Sequence, residues 1–136
     1  MYAARRDHIE RVIAPALERG DVVVCDRFLD STRAYQGAAG GASMSLVASL
    51  EAEVAIVRPD LTAILDLSPE QGLARVDRRA EAKTRFEARN LSFHIALREA
   101  FLKIARAEPG RCVVIDAAGS VDAVAGDIWR CVEARL

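Results

Sequence analysis

A chain of 136 residues that is 51% apolar has the size and composition of one ordinary domain with a single core. Its 19 basic and 20 acidic residues give a formal net charge of −1, which excludes a general electrostatic hold on nucleic acid and leaves any bound anion to local groups. No apolar run approaches the roughly 20 residues of a membrane span, and the N-terminus is charged rather than signal-like, so a soluble cytoplasmic protein with no membrane contact is expected.

From Ala3 to Arg19 the apolar residues Ile9, Val12, Ile13, Ala16 and Leu17 fall on one face of a helix, with Pro15 placed to bend its last turn. Gly20 ends that helix. Val22 to Cys25 then make a continuous apolar run, which predicts a strand buried on both faces. A polar loop carrying Gly37, Gly40 and Gly41 follows. Leu46, Val47, Leu50 and Val54 mark a second amphipathic helix, closed by Arg58-Pro59-Asp60 ahead of a strand from Leu61 to Leu67. Ser68-Pro69-Glu70-Gln71 supplies an N-cap, a first-turn proline and a glutamine three residues past the cap, so a helix begins there. Between Arg75 and Arg89 basic residues stand among few apolar ones, which reads as a mobile basic segment. Phe93, Leu97, Phe101 and Ile104 resume a helical stripe that Pro109-Gly110 stops. Cys112 to Asp116 is a third buried strand, and Val121, Val124, Ile128 and Val132 line a final helix capped by Ser120. Cys25, Cys112 and Cys131 lie in apolar runs without metal-ligand spacing, as reduced cysteines acting as small hydrophobes do. His8 and His94 sit on helices with no ligand cluster and are read as structural.

Strands alternating with helices predict a parallel α/β sheet, and such sheets bind ligands beyond the carboxyl ends of their strands. Asp26-Arg27 follows the first apolar run at such an end. A carboxylate there can hold a magnesium-bound water, and the planar donor fork of arginine suits phosphate oxygens. Together they point to phosphoryl transfer, which depends mainly on positioning and charge neutralisation.

The stretch CDRFLDSTRAYQG, preceded by YAARRDHIERVIAPALERG and followed by RPDLTAILDLSPEQGLAR, resembles the bacterial thymidylate kinases, and RFE at 85–87 and VVIDA at 113–117 extend the resemblance through the chain. That resemblance implies transfer of the γ-phosphoryl group of ATP, with Mg2+, to dTMP. It also implies a three-layer P-loop-kinase-type parallel sheet with helices on both faces, a single nucleotide-kinase domain over 1–136 that is incomplete at its N-terminus, and a homodimer packed through helices. Residue by residue, Asp26 resembles the carboxylate that assists the metal through water, and Arg27 the clamp on the transferred phosphate. Arg5 resembles the arginine that reaches thymine and its phosphate. Ser31 and Thr32 lie in the nucleotide-facing loop, Tyr35 resembles the tyrosine packed on deoxyribose that crowds out a 2′-hydroxyl, and Gln36 the amide bonded to the thymine edge. The segment at about 75–89 resembles the lid that closes over ATP, with Arg75, Arg79 and Arg85 as candidates for its catalytic arginine.

The pattern G-x-x-x-x-G-K-[ST], whose backbone donors cradle ATP phosphates, does not occur in these residues, and GAAGGAS lacks the lysine. The sequence therefore resembles the C-terminal two-thirds of the family, active only together with its phosphate loop. In the family's sheet the first strand lies between the strands ending near Asp26 and Leu67, so without it a marginal or self-associating fold is expected. Met1 stands where the family usually has the phenylalanine stacked on thymine, so weaker base affinity is expected, although methionine can still pack against a ring. Gly40 replaces an arginine, and Thr84 an acid. A second reading is a non-catalytic remnant or dimerising partner that keeps only the dTMP-facing loop. Nucleoside kinases are disfavoured because they usually carry glutamate where Asp26 stands.

Overall fold

The computed structural model of the chain describes residues 2–38, 41, 43–54, 57–77 and 90–135. The chain divides into two compact units, Met1–Pro59 and Asp60–Leu136.

The first unit opens with an unbroken helical run: α1 (Tyr2–His8), a π-helical turn π1 (Ile9–Ile13) and α2 (Ala14–Glu18). The Ala14 amide donates to the Ile9 carbonyl, five residues back. This widened turn stands directly before Pro15, which has no N–H to continue the ladder. Ile9 and Ile13 are buried, whereas Val12 and Leu17 are exposed, so the buried stripe is narrower than the apolar face of the sequence. The run closes as a Schellman motif: Asp21 N–H donates to Ala16 O at 3.0 Å, Gly20 N–H to Leu17 O at 2.9 Å, and Gly20 adopts φ 82°.

Residues 21–25 do not form the predicted strand. Val22 is 72% exposed and Val24 93%, and Cys25 is exposed rather than packed as a small hydrophobe. A run of valines shows what a segment is suited to bury against. Burial itself requires paired neighbours and covering helices, and among the described residues no strand pairs with this one.

The expected polar loop is instead helical, as α3 (Leu29–Thr32) and a second π turn, π2 (Arg33–Ala38). Leu29, Asp30, Thr32 and Ala34 are buried in it. After it, α4 (Met44–Val54) packs against π2 and α1. Its inward positions are Val47 and Glu51, one turn apart, while Leu46 and Leu50 face out.

The second unit is built on a two-stranded parallel sheet, β1 (Thr62–Asp66) and β2 (Cys112–Asp116), in register from Thr62 opposite Cys112 to Asp66 opposite Asp116. Among the described residues, three helices belong to it: α5 (Pro69–Asp77), α6 (Leu91–Ala107) and α7 (Val121–Glu133). Ile64 and Cys112 share a face and meet Ala105, with Phe101 and Ile104 of α6 packed on them. Ile115, on the opposite face by alternation, is also buried, and α7 packs against β2. The helix starts follow the sequence signals: Ser68 Oγ accepts from Gln71 N–H at 3.3 Å and Ser120 Oγ from Ala123 N–H at 3.2 Å. Asn90, not singled out in the sequence, caps α6 by accepting from Phe93 N–H at 3.1 Å. The arrangement is α/β with parallel strands, as expected. Among the described residues, no helix is long and apolar enough to cross a membrane.

Candidate functional site

The expected acceptor residues gather in the first unit around the start of α3. Arg27 has φ 63°, the left-handed region that a β-carbon disfavours. Non-glycine residues held there cluster at ligand sites, because the surrounding structure must over-determine them. From this position the Arg27 side chain meets Tyr35 on π2. Its Nη2 donates to the Tyr35 hydroxyl at 2.7 Å and the guanidinium lies 5.0 Å from the ring centroid. The helical winding of 29–38 brings these two residues together across a separation of eight. Asp26 beside Arg27 is exposed, and so is Gln36 beside Tyr35.

A second arginine is held in a similar way. Arg5, on α1, donates through Nη1 to Thr32 Oγ1 at 2.7 Å and stands 5.3 Å from the Phe28 ring centroid. Thr32 is 2% exposed, so its hydroxyl serves Arg5 from inside the unit, while Ser31 is half-buried.

Beneath these residues lies an ion-pair cluster that the sequence reading did not find. Arg33 donates through Nε and Nη2 to the two carboxylate oxygens of Glu51, at 2.6 and 2.5 Å, and its Nη1 lies 3.4 Å from Asp30 Oδ1. Arg58 approaches Glu51 at 3.9 Å. The available signal was Glu51 itself, one turn after Val47 on the face that turns inward.

In the second unit, Asp66 at the carboxyl end of β1 receives Arg98 Nε at 2.6 Å and Nη2 at 2.7 Å. The hydrogen bonds from Arg98 hold the Asp66 carboxyl below its ordinary range, outweighing the opposing effect of burial, and they raise the Arg98 guanidinium in turn. Asp116, its neighbour in register, accepts from Ala118 N–H at 2.8 Å. Arg75 donates to the Ala118 carbonyl at 3.1 Å. Met1, Arg79 and Arg85 lie outside the described residues, as does most of the expected lid at 75–89. Among the described residues, no group of three or more His, Cys, Asp or Glu could hold a metal ion.

A family profile described as thymidylate kinase matches residues 1–128. The thymidylate kinase of Caulobacter vibrioides is 59% identical over 137 aligned positions, which take in 100% of this chain and 65% of the relative. That of Bradyrhizobium diazoefficiens is 51% identical, over 98% of this chain and 60% of the relative. The crystal structure of the Ehrlichia chaffeensis thymidylate kinase superposes with a TM-score of 0.75 at 31% identity, over 97% of this chain and 60% of that one. The chain thus spans about 60 to 65% of the length of the relatives it matches. Since the profile covers nearly all of its residues, the chain belongs to the thymidylate kinase family.

Proposed function

We propose that this chain carries the acceptor side of a thymidylate kinase, which moves the γ-phosphoryl group of ATP to dTMP and yields dTDP. The observation that supports it best is the Arg27–Tyr35 pair, a left-handed arginine bonded to a phenol and directly preceded by an exposed carboxylate. Arg27 has five N–H donors, and the bond to Tyr35 uses one of them. The others serve phosphate oxygens during transfer, while the ring of Tyr35 packs on deoxyribose and Gln36 bonds the thymine edge. Arg5 reaches thymine and its phosphate, with buried Thr32 holding it rather than touching the nucleotide itself. Ser31 completes the nucleotide-facing turn, and Met1 is the residue proposed to contact the base.

Magnesium, where present with ATP, neutralises phosphate charge. A lone exposed carboxylate such as Asp26 fits a contact through metal-bound water, because Mg2+ keeps several waters and takes few protein ligands. The segment at 75–89 is the proposed lid, with Arg79 and Arg85 as the candidates for offsetting charge on the donor phosphates. The phosphate-cradling glycine loop is not among these 136 residues, so transfer requires that loop from a further segment of polypeptide. Exposed Val12 and Leu17 on the first helical run favour homodimer packing through that surface.

Calorimetric titration with dTMP and ATP separately tests the reading. Weak dTMP binding with no ATP binding is expected. Binding of ATP, or of another nucleoside monophosphate in preference to dTMP, would refute it.

A further inference from the structure

We infer that the Arg33–Glu51 ion pair is a positioning device for the nucleotide-facing turn, and that it sets the discrimination between deoxyribose and ribose at Tyr35. Arg33 opens π2, two residues before Tyr35 and directly after Thr32, which holds Arg5. Its side chain is 19% exposed and that of Glu51 6%, so this contact joins two largely buried charges. Both carboxylate oxygens of Glu51 are engaged by Nε and Nη2, the fork-to-fork geometry that fixes orientation as well as distance. Glu51 stands on a regular helix, one turn past buried Val47, and so offers Arg33 a fixed anchor.

The pair therefore ties the first residue of an irregular π turn to a regular element eighteen positions away. Asp30, 5% exposed, lies 3.4 Å from Arg33 Nη1 in the preceding turn and brings a second carboxylate to the guanidinium. Tyr35 in turn holds Arg27. An error in the placement of Arg33 passes to the ring that closes on the sugar and to the arginine beside it. In this role Arg33 and Glu51 act through Tyr35 rather than on the nucleotide. A lysine at 33 would keep the charge and lose the fork.

The inference rests on the acceptor-site reading above, and one experiment separates their failures. The chain, Arg33→Lys and Glu51→Gln are titrated calorimetrically with dTMP and with ribothymidine 5′-monophosphate, after far-UV circular dichroism has established folding. The unaltered chain is expected to prefer dTMP. Both variants are expected to lose at least about tenfold in dTMP affinity, with the deoxy-to-ribo ratio falling towards one. Should Glu51→Gln fail to fold, Arg33→Lys carries the test, since it leaves no uncompensated buried charge. A folded Arg33→Lys variant that keeps the ratio overturns the inference, whether its two affinities are unchanged or fall in proportion, since proportional loss marks a purely structural pair. If the unaltered chain binds neither nucleotide, the acceptor reading fails first and takes this inference with it.

Discussion

Replacing Val24 by threonine adds a hydroxyl at nearly constant shape, and the cost depends on what surrounds the side chain. A fully buried valine contributes roughly 1.5 to 3 kcal/mol through removal of its surface from water. With 93% of its surface exposed, Val24 retains at most about 0.2 kcal/mol of that. At a buried site the new hydroxyl would add about 1 to 3 kcal/mol for its unsatisfied hydrogen-bonding capacity. Val24→Thr is therefore expected to change unfolding free energy by less than about 0.5 kcal/mol. Ile9→Ala, in the same unit at 0% exposure, supplies the contrast and should cost about 2 to 5 kcal/mol. Urea denaturation followed by far-UV circular dichroism suits the comparison, because it reads the helices of the unit that carries both substitutions. A loss above about 1.5 kcal/mol for Val24→Thr at unchanged m-value would show that residues 22–25 are buried, and the account of this segment would be wrong.

Arg27 and Asp66 support two further predictions. At φ 63°, Arg27→Gly relieves a strain that Arg27→Ala retains; both lose the bond to Tyr35, so the glycine variant should be the more stable by about 1 kcal/mol in thermal unfolding. Equal stabilities would remove the argument from backbone strain. Arg98 depresses the folded-state pKa of Asp66, so its stabilisation is present above the unfolded carboxylate range, near pH 4, and is lost as pH falls through the lower folded value. Arg98→Met should therefore unfold more readily than the unaltered chain at pH 7, with the difference closing below about pH 4. A difference that stays constant into strong acid would contradict the assignment.

The parts of the fold that were readable from sequence are those that need no distant partner. The caps at Ser68 and Ser120 bond amides three residues away, and β1 and β2 pair with each other behind the stripe of α6, so local pattern and final contact coincide. Residues 22–25 carry the same valine-rich signature as β2, but with no pairing strand among the described residues Val22 and Val24 are exposed. Helix faces failed for a related reason. Leu46 and Leu50 are apolar and face out, while Glu51 faces in because Arg33, eighteen residues away, pairs with it. A one-dimensional stripe has no way to anticipate that a carboxylate will be neutralised from another element. In the candidate site, Asp26, Arg27, Tyr35 and Gln36 were named from the sequence as candidates through the family resemblance. The helical winding that joins Arg27 to Tyr35 was not, since glycines and polar side chains suggested a loop.

The arginines of this chain differ in what holds them, and that difference separates binding from architecture. Arg33 is fastened by Glu51 and Asp30, and Arg98 by Asp66, so in each case carboxylate charge offsets the guanidinium and little positive potential remains for a ligand. The partners shown for Arg5 and Arg27 are neutral: a hydroxyl at the edge and an aromatic face within 5.3 Å for Arg5 and 5.0 Å for Arg27. An aromatic face and a hydroxyl orient a guanidinium without cancelling its charge. Held in this way, both arginines are pre-organised without being neutralised, and on the proposed reading a phosphate group would find each of them already ordered in part by the fold. In a protein with a formal net charge of −1, that local arrangement is what an anionic nucleotide requires, because no long-range field would draw it in.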